Sequence, residues 1–296
     1  VSDRGIIFDL GYAPHEGPRL GTAAAVRATI RDGVRRVMGL RRKARKKVFP
    51  WGLLALATLP AVVFVGLAFL VSEFNPTGSD SPFGGHVEFF NLNGNIVLIF
   101  AALAGPELLI PDRVEGVLAV YSSRPMRARD YLGARAGALA IVLAGFLLIP
   151  QLLMYLGFSA LDGDGFAAAL VNRSDDLLQI FLTSVVYMVG YGAPALLVAS
   201  FARRTAAATG VYLAAMFLLT GFGQGMLDGD VAFGEWFALT ALAHHPPVVR
   251  DWIFDRRPVD LVPATAGWDP WVSLAVIVLV AVATIVAASR RYRREM

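Results

Sequence analysis

The side chains best placed to do chemistry in this sequence lie in one short stretch and one isolated pair. Residues 106–131 gather Glu107, Asp112, Arg113, Glu115, Ser123, Arg124 and Arg127 among apolar neighbours, and His244 stands beside His245 ahead of Pro246 and Pro247. A metal needs several ligands brought to one point, and two adjacent histidines with no spaced partners are a weak start towards that. No metal site is expected. The absence of cysteine excludes a thiolate ligand set, a disulfide framework and a cysteine nucleophile. Neither His-Glu-x-x-His nor Gly-x-Ser-x-Gly occurs, so zinc-protease and serine-hydrolase chemistry lack their motifs. None of the three lysines, Lys43, Lys46 and Lys47, follows a glycine, so the phosphate-cradling loop of nucleotide-hydrolysing proteins is missing. No catalytic residue and no bound cofactor are expected, and the chain is not read as an enzyme.

The elements that must position these residues are set by composition. Of 296 residues, 56% are hydrophobic and 17% charged, where soluble domains carry about a quarter charged. A helix needs about 20 apolar residues to cross a hydrocarbon core about 30 Å thick. Six such spans are predicted, at 48–71, 90–110, 131–161, 177–201, 205–222 and 270–288. All but four of the 27 lysines and arginines fall on one side of them; Arg173, Arg250, Arg256 and Arg257 fall on the other. Basic residues stay in the cytoplasm, so both termini are expected inside. The fold class is an all-α polytopic membrane protein of the bacterial plasma membrane. Residues 1–47 form a cytoplasmic N-terminal segment and 48–296 a single transmembrane domain with a cytoplasmic tail at 289–296. The first span follows a long basic stretch, so a cleaved signal peptide is not expected.

Within the N-terminal segment, Val26, Ile30, Val34, Val37 and Met38 form one helical stripe and Arg27, Arg31 and Arg35 a neighbouring one. Such a helix lies in the interface with its arginines towards anionic head groups. The run from Arg41 to Lys47 then fixes the cytoplasmic end of the first span, and with a bilayer so close no nucleic-acid partner is expected.

In the loop between the second and third spans, Asp112 and Glu115 are spaced as a capping box and predict the start of a helix. Val114, Val117, Leu118 and Tyr121 then share one face of it. Two uses of that face are open: docking into a groove on a soluble partner, or lying on lipid. Glu107, near the cytoplasmic end of its span, is read either as part of a gate, as a partner for Arg113 or Arg135, or as a carboxylate close enough to the interface to reach water. Between the last two spans, residues 223–269 hold two aromatic-rich blocks separated by His244-His245-Pro246-Pro247. They predict a helical hairpin dipping into the outer leaflet, either as a cap over a path or as a passive anchor. The sparse, neutral polar groups of the spans suit an amphipathic substrate better than an ion.

The run Pro106-Glu107-Leu108-Leu109, Asp112-Arg113, Gly116, Ser123-Arg124-Pro125, Arg127 and Asp130-Tyr131-Leu132-Gly133 resembles the loop after the second span of type-2 ABC exporter permeases, actinobacterial members especially. Gly11-Tyr12-Ala13-Pro14 and Gly17-Pro18-Arg19-Leu20 are similar to the start of those proteins. The resemblance implies that the loop is a coupling helix seated on a separate cytoplasmic ATPase. The coupling residues would be Asp112, Arg113, Val114, Glu115, Gly116, Val117, Leu118, Tyr121, Ser123, Arg124, Pro125 and Arg127. It further implies two ATPase copies carrying ATP and Mg, and a second permease subunit, identical or not, around one path. The alternative is a non-transporting membrane scaffold or sensor that recruits a cytoplasmic partner through the same loop.

Overall fold

The structure is a computed structural model, and the residues it describes are 20–40, 44–74, 84–122, 126–163, 165–229 and 231–295. The chain opens with α1 (Thr22–Val37), α2 (Arg45–Phe74), α3 (His86–Val114) and the five-residue α4 (Leu118–Ser122). Next come α5 (Ala128–Ala160), α6 (Phe166–Asn172), α7 (Ser174–Phe201) and α8 (Thr205–Asp228). The short helices α9 (Gly234–Phe237), α10 (His245–Ile253) and α11 (Val262–Thr265) precede the last, α12 (Pro270–Glu295). Six of these, α2, α3, α5, α7, α8 and α12, are long and apolar enough to cross a membrane. Each predicted span falls on one of them.

Several helices overrun their apolar stretch because the backbone ladder continues to hold where the side chains turn polar. Thus α12 runs on to Glu295, whose carboxylate pairs with Arg291 at 3.2 Å one turn back. Pro50, Pro60, Pro106, Pro111, Pro150 and Pro194 all lie inside helices. Each loses one ladder bond, but in apolar surroundings leaving the helix would unpair many more backbone groups.

α3 is the central helix. Of its apolar stretch 67% is buried in the protein, against 11% for α2 and 22% for α8 and α12, which therefore form the outer wall. Phe100 of α3 stacks on Phe146 of α5 with ring centres 4.1 Å apart, and Phe90 meets Tyr187 of α7 at 5.5 Å.

α1 departs from expectation. Its apolar stripe is not turned to lipid: Ile30, Val34, Val37 and Met38 join the main core, and Val26 packs with Leu109, Tyr131 and Tyr292. Gly33 makes the approach close, since a Cβ there would stand 2.6 Å from that of Ala138. Arg27 and Arg31 are left exposed on the opposite side.

Between α8 and α12 the first aromatic block holds the four-residue α9 and a 3-10 turn, the second holds α10, and the break between them is displaced. Pro246 and Pro247 lie in the first turn of α10, where a missing N–H costs nothing. The chain instead turns at 241–244. α10 packs against α3, α7 and α12, and α9 against α8.

Candidate functional site

The loop that the sequence singles out is built differently from the expected capped helix. Asp112 does not start a new helix; α3 continues through Pro111 and carries Asp112, Arg113 and Val114 in its last turn. Glu115 is the residue that closes α3, and Gly116 follows at φ 71°. The Val117 N–H reaches back to the Asp112 carbonyl at 2.9 Å and the Gly116 N–H to that of Arg113 at 3.4 Å. This is the glycine-dependent helix stop of the Schellman type. A left-handed residue is needed at Gly116, and that glycine was the sequence signal for where α3 ends.

The expected single face is consequently divided. Leu118 is 4% exposed and packs with Leu109, Met126, Tyr131 and Tyr292. Tyr121 leans on Tyr131 with ring centres 5.3 Å apart, and Val117 is half-buried. Val114, 61% exposed, and Glu115 point away from the bundle with Val120. Arg127 is exposed at the start of α5, where its backbone N–H is capped by the Asp130 carboxylate at 3.0 Å. Ser123, Arg124 and Pro125 lie outside the described residues.

Asp112, 1% exposed, is the hub of a buried charge cluster. It accepts hydrogen bonds from Arg36 of α1 at 2.7 Å, Tyr131 of α5 at 2.8 Å and Arg135 of α5 at 2.5 Å. Arg135 also donates to Asp32 at 3.1 Å and to the Tyr121 hydroxyl at 3.3 Å, and Arg36 donates to Asp32 at 3.2 Å. Two carboxylates thus balance two guanidinium groups. Buried ions are tolerated only when paired; Arg135 is paired with both carboxylates, although its Nε makes no hydrogen bond. The Tyr292 ring stacks on that of Tyr131 at 5.7 Å, which brings in the end of α12. Arg113 donates to the carbonyls of Ala199, Ser200 and Ala202, placing a cation at the C-terminus of α7 where the helix dipole favours it. Five elements besides α3 therefore meet within one turn of its end.

Glu107 lies elsewhere. It lines an open cavity of about 640 Å³ between α1, α2, α3 and α8, together with Arg36, Phe49, Phe100, Leu103 and Thr209. Arg113 and Arg135, its two expected partners, are engaged as described above.

At the opposite end of the bundle the histidine pair is structural. The His245 Nε2 faces the Leu239 carbonyl at 3.0 Å, which can only accept, so Nδ1 of the neutral ring accepts from the Ser273 hydroxyl at 3.0 Å. His244 Nδ1 accepts from the Val262 N–H at 3.1 Å. Burial lowers the pKa of both rings below the usual 6.5, and for His245 the Leu239 hydrogen bond opposes the shift. No group of three histidine, aspartate or glutamate side chains suited to a metal occurs among the described residues.

Comparison with known proteins gives no family model that matches the chain and no curated protein with significant similarity.

Proposed function

We propose that this chain is the transmembrane permease subunit of an ATP-driven exporter of the ABC class, taking its energy from a separate cytoplasmic ATPase. The observation that carries the reading is the end of α3. A turn whose Val114, Glu115 and Val120 face outward is joined through Asp112, Arg113 and Tyr131 to α1, α4, α5, α7 and α12. Force applied to that turn moves the bundle rather than a loose loop. The chain lacks a nucleotide-gripping loop of its own. On this reading the α1 end is cytoplasmic, as the distribution of basic residues requires, and the exposed Arg27 and Arg31 face anionic head groups of the inner leaflet. Two permease subunits enclose one path above two ATPase copies holding ATP and Mg. The cavity beside Glu107, apolar with a few polar groups, suits an amphipathic substrate. ATP-driven closure of the motor biases the bundle between inward- and outward-facing states.

The test uses the exposed part of the turn. With the full chain and its co-purified partner in liposomes, Val114→Glu should abolish the permease-dependent part of the partner's ATP hydrolysis without lowering the melting temperature of the permease. A partner lacking nucleotide-binding motifs, or hydrolysis indifferent to Val114→Glu, overturns the proposal in favour of a scaffold.

A further inference from the structure

We propose that Arg250 is the latch of an outer gate, with α10 as the gate leaf that withdraws from between α3 and α7 to open the path. The proposal rests on the transport reading above. From Ala243 to Phe254 the chain passes down the outer half of α7. The Tyr191 hydroxyl donates to the Ala243 carbonyl at 3.1 Å, Pro246 lies on Gly190, and Arg250 reaches the Tyr187 hydroxyl at 3.3 Å. Phe254 ends the passage against Phe90 of α3, with ring centres 6.3 Å apart.

The Arg250 side chain is held as a latch would be. It is 2% exposed, and one of its Nη atoms donates to both Tyr187 of α7 and Asn91 of α3. Its Nε and other Nη donate to Asp251 at 2.8 and 2.5 Å, and Asp251 is itself 5% exposed. The counter-ion is therefore the next residue on the same short helix. When α10 leaves α3 and α7, the charge pair leaves intact, and Arg250 itself gives up only its hydrogen bonds to two neutral oxygens. A buried cation whose counter-ion stayed behind could not do this without stranding both charges. Non-helical segments at 241–244 and 254–261 flank α10 and allow it to swing.

α7 carries unsatisfied polar groups one turn from the Arg250 socket. Thr183 and Ser184, one turn from Tyr187 on α7, are fully buried, and their hydroxyls make no hydrogen bond to protein. Buried polar atoms are normally satisfied; these two hydroxyls would be satisfied by water or substrate in an open state.

The chain contains no cysteine, so Ser184→Cys gives a single, nearly isosteric reporter. In right-side-out vesicles a membrane-impermeant maleimide should label it slowly. Adding Asn91→Ala with Tyr187→Phe, which empties the socket but keeps the Arg250–Asp251 pair, should speed labelling about tenfold or more. Arg250→Ala with Asp251→Ala, which keeps the charge balance, should do the same. Unchanged labelling in either folded variant overturns the gate. Hydrogen exchange on the unsubstituted protein reads the same opening without any variant: α10 amides should exchange about tenfold or more faster than those of α7, and equal protection overturns the gate. Neither measurement needs an ATPase or nucleotide, so a failed gate is distinguishable from a failed transport reading.

Discussion

The bundle is braced at both ends by buried arginines that reach α3, and the two braces differ in where their counter-ions come from. At the α1 end, Arg135 and Arg36 stand on different helices from each other and from Asp112. At the α10 end, Arg250 and Asp251 are neighbours in the chain. Separating α5 from α3 parts Arg135 from Asp112 in an apolar interior; withdrawing α10 parts neither of its charges. One end is a permanent clamp and the other a fastening that can be undone, although both bury a guanidinium equally well.

Substitutions can break this contrast, and the largest effect should come from Asp112→Ala. It leaves Arg135 and Arg36 with one shared carboxylate, and a loss of about 3–5 kcal/mol is expected for breaking a buried pair from one side. Denaturation in detergent would measure it. If Arg250→Ala with Asp251→Ala costs as much, the two ends are not different in kind. Arg113→Ala should cost about 2 kcal/mol through the uncapped end of α7 and should also uncouple hydrolysis by the partner from the permease. Tyr187→Phe should cost about 1 kcal/mol, with the loss confined to the α10 end in hydrogen exchange.

Acid sharpens the contrast further. His244 and His245 have folded pKa values below the usual 6.5. Their contribution to stability is therefore fully present above that value and is lost as the pH falls through the window below it. Exchange at α10 and α11 should rise over this range while α1 stays protected. A uniform rise at both ends would contradict the assignment. The smallest effect belongs to Arg256→Gln. The pair of Arg256 with Glu88 is half exposed, and about 0.5 kcal/mol is expected.

What was legible in the sequence follows the range of the physics involved. The six long helices are written in runs of apolar residues, a local property, and each predicted span lies on one of them. The stop of α3 is local too, but the Asp112–Glu115 spacing reads as the start of a helix and masks the stop at Gly116. The partners of Asp112 are not local. Arg36 meets it across 76 residues, Arg135 meets Asp32 across 103, and no spacing rule connects them. For the same reason Arg250 resembles a rim charge in an aromatic segment, although it is buried against Asn91 across 159 residues. Leu118 and Val114 read as equals in the sequence because both are apolar and helically spaced. The turn at Gly116 sends one inward and the other out.

The long reach of the Asp32–Arg135 contact also bears on how the protein is made. A ribosome works from the N-terminus, so α1 emerges well before the α5 surface against which its valines and isoleucine come to rest. During that interval the helix has no protein to lean on, and a lipid surface is the apolar shelter nearest to hand, with Arg27 and Arg31 at its polar margin. The amphipathic pattern of α1 is then suited to two successive berths. Docking on the bundle, sealed by Arg36 and Asp32, would mark the moment at which the third span has entered the membrane.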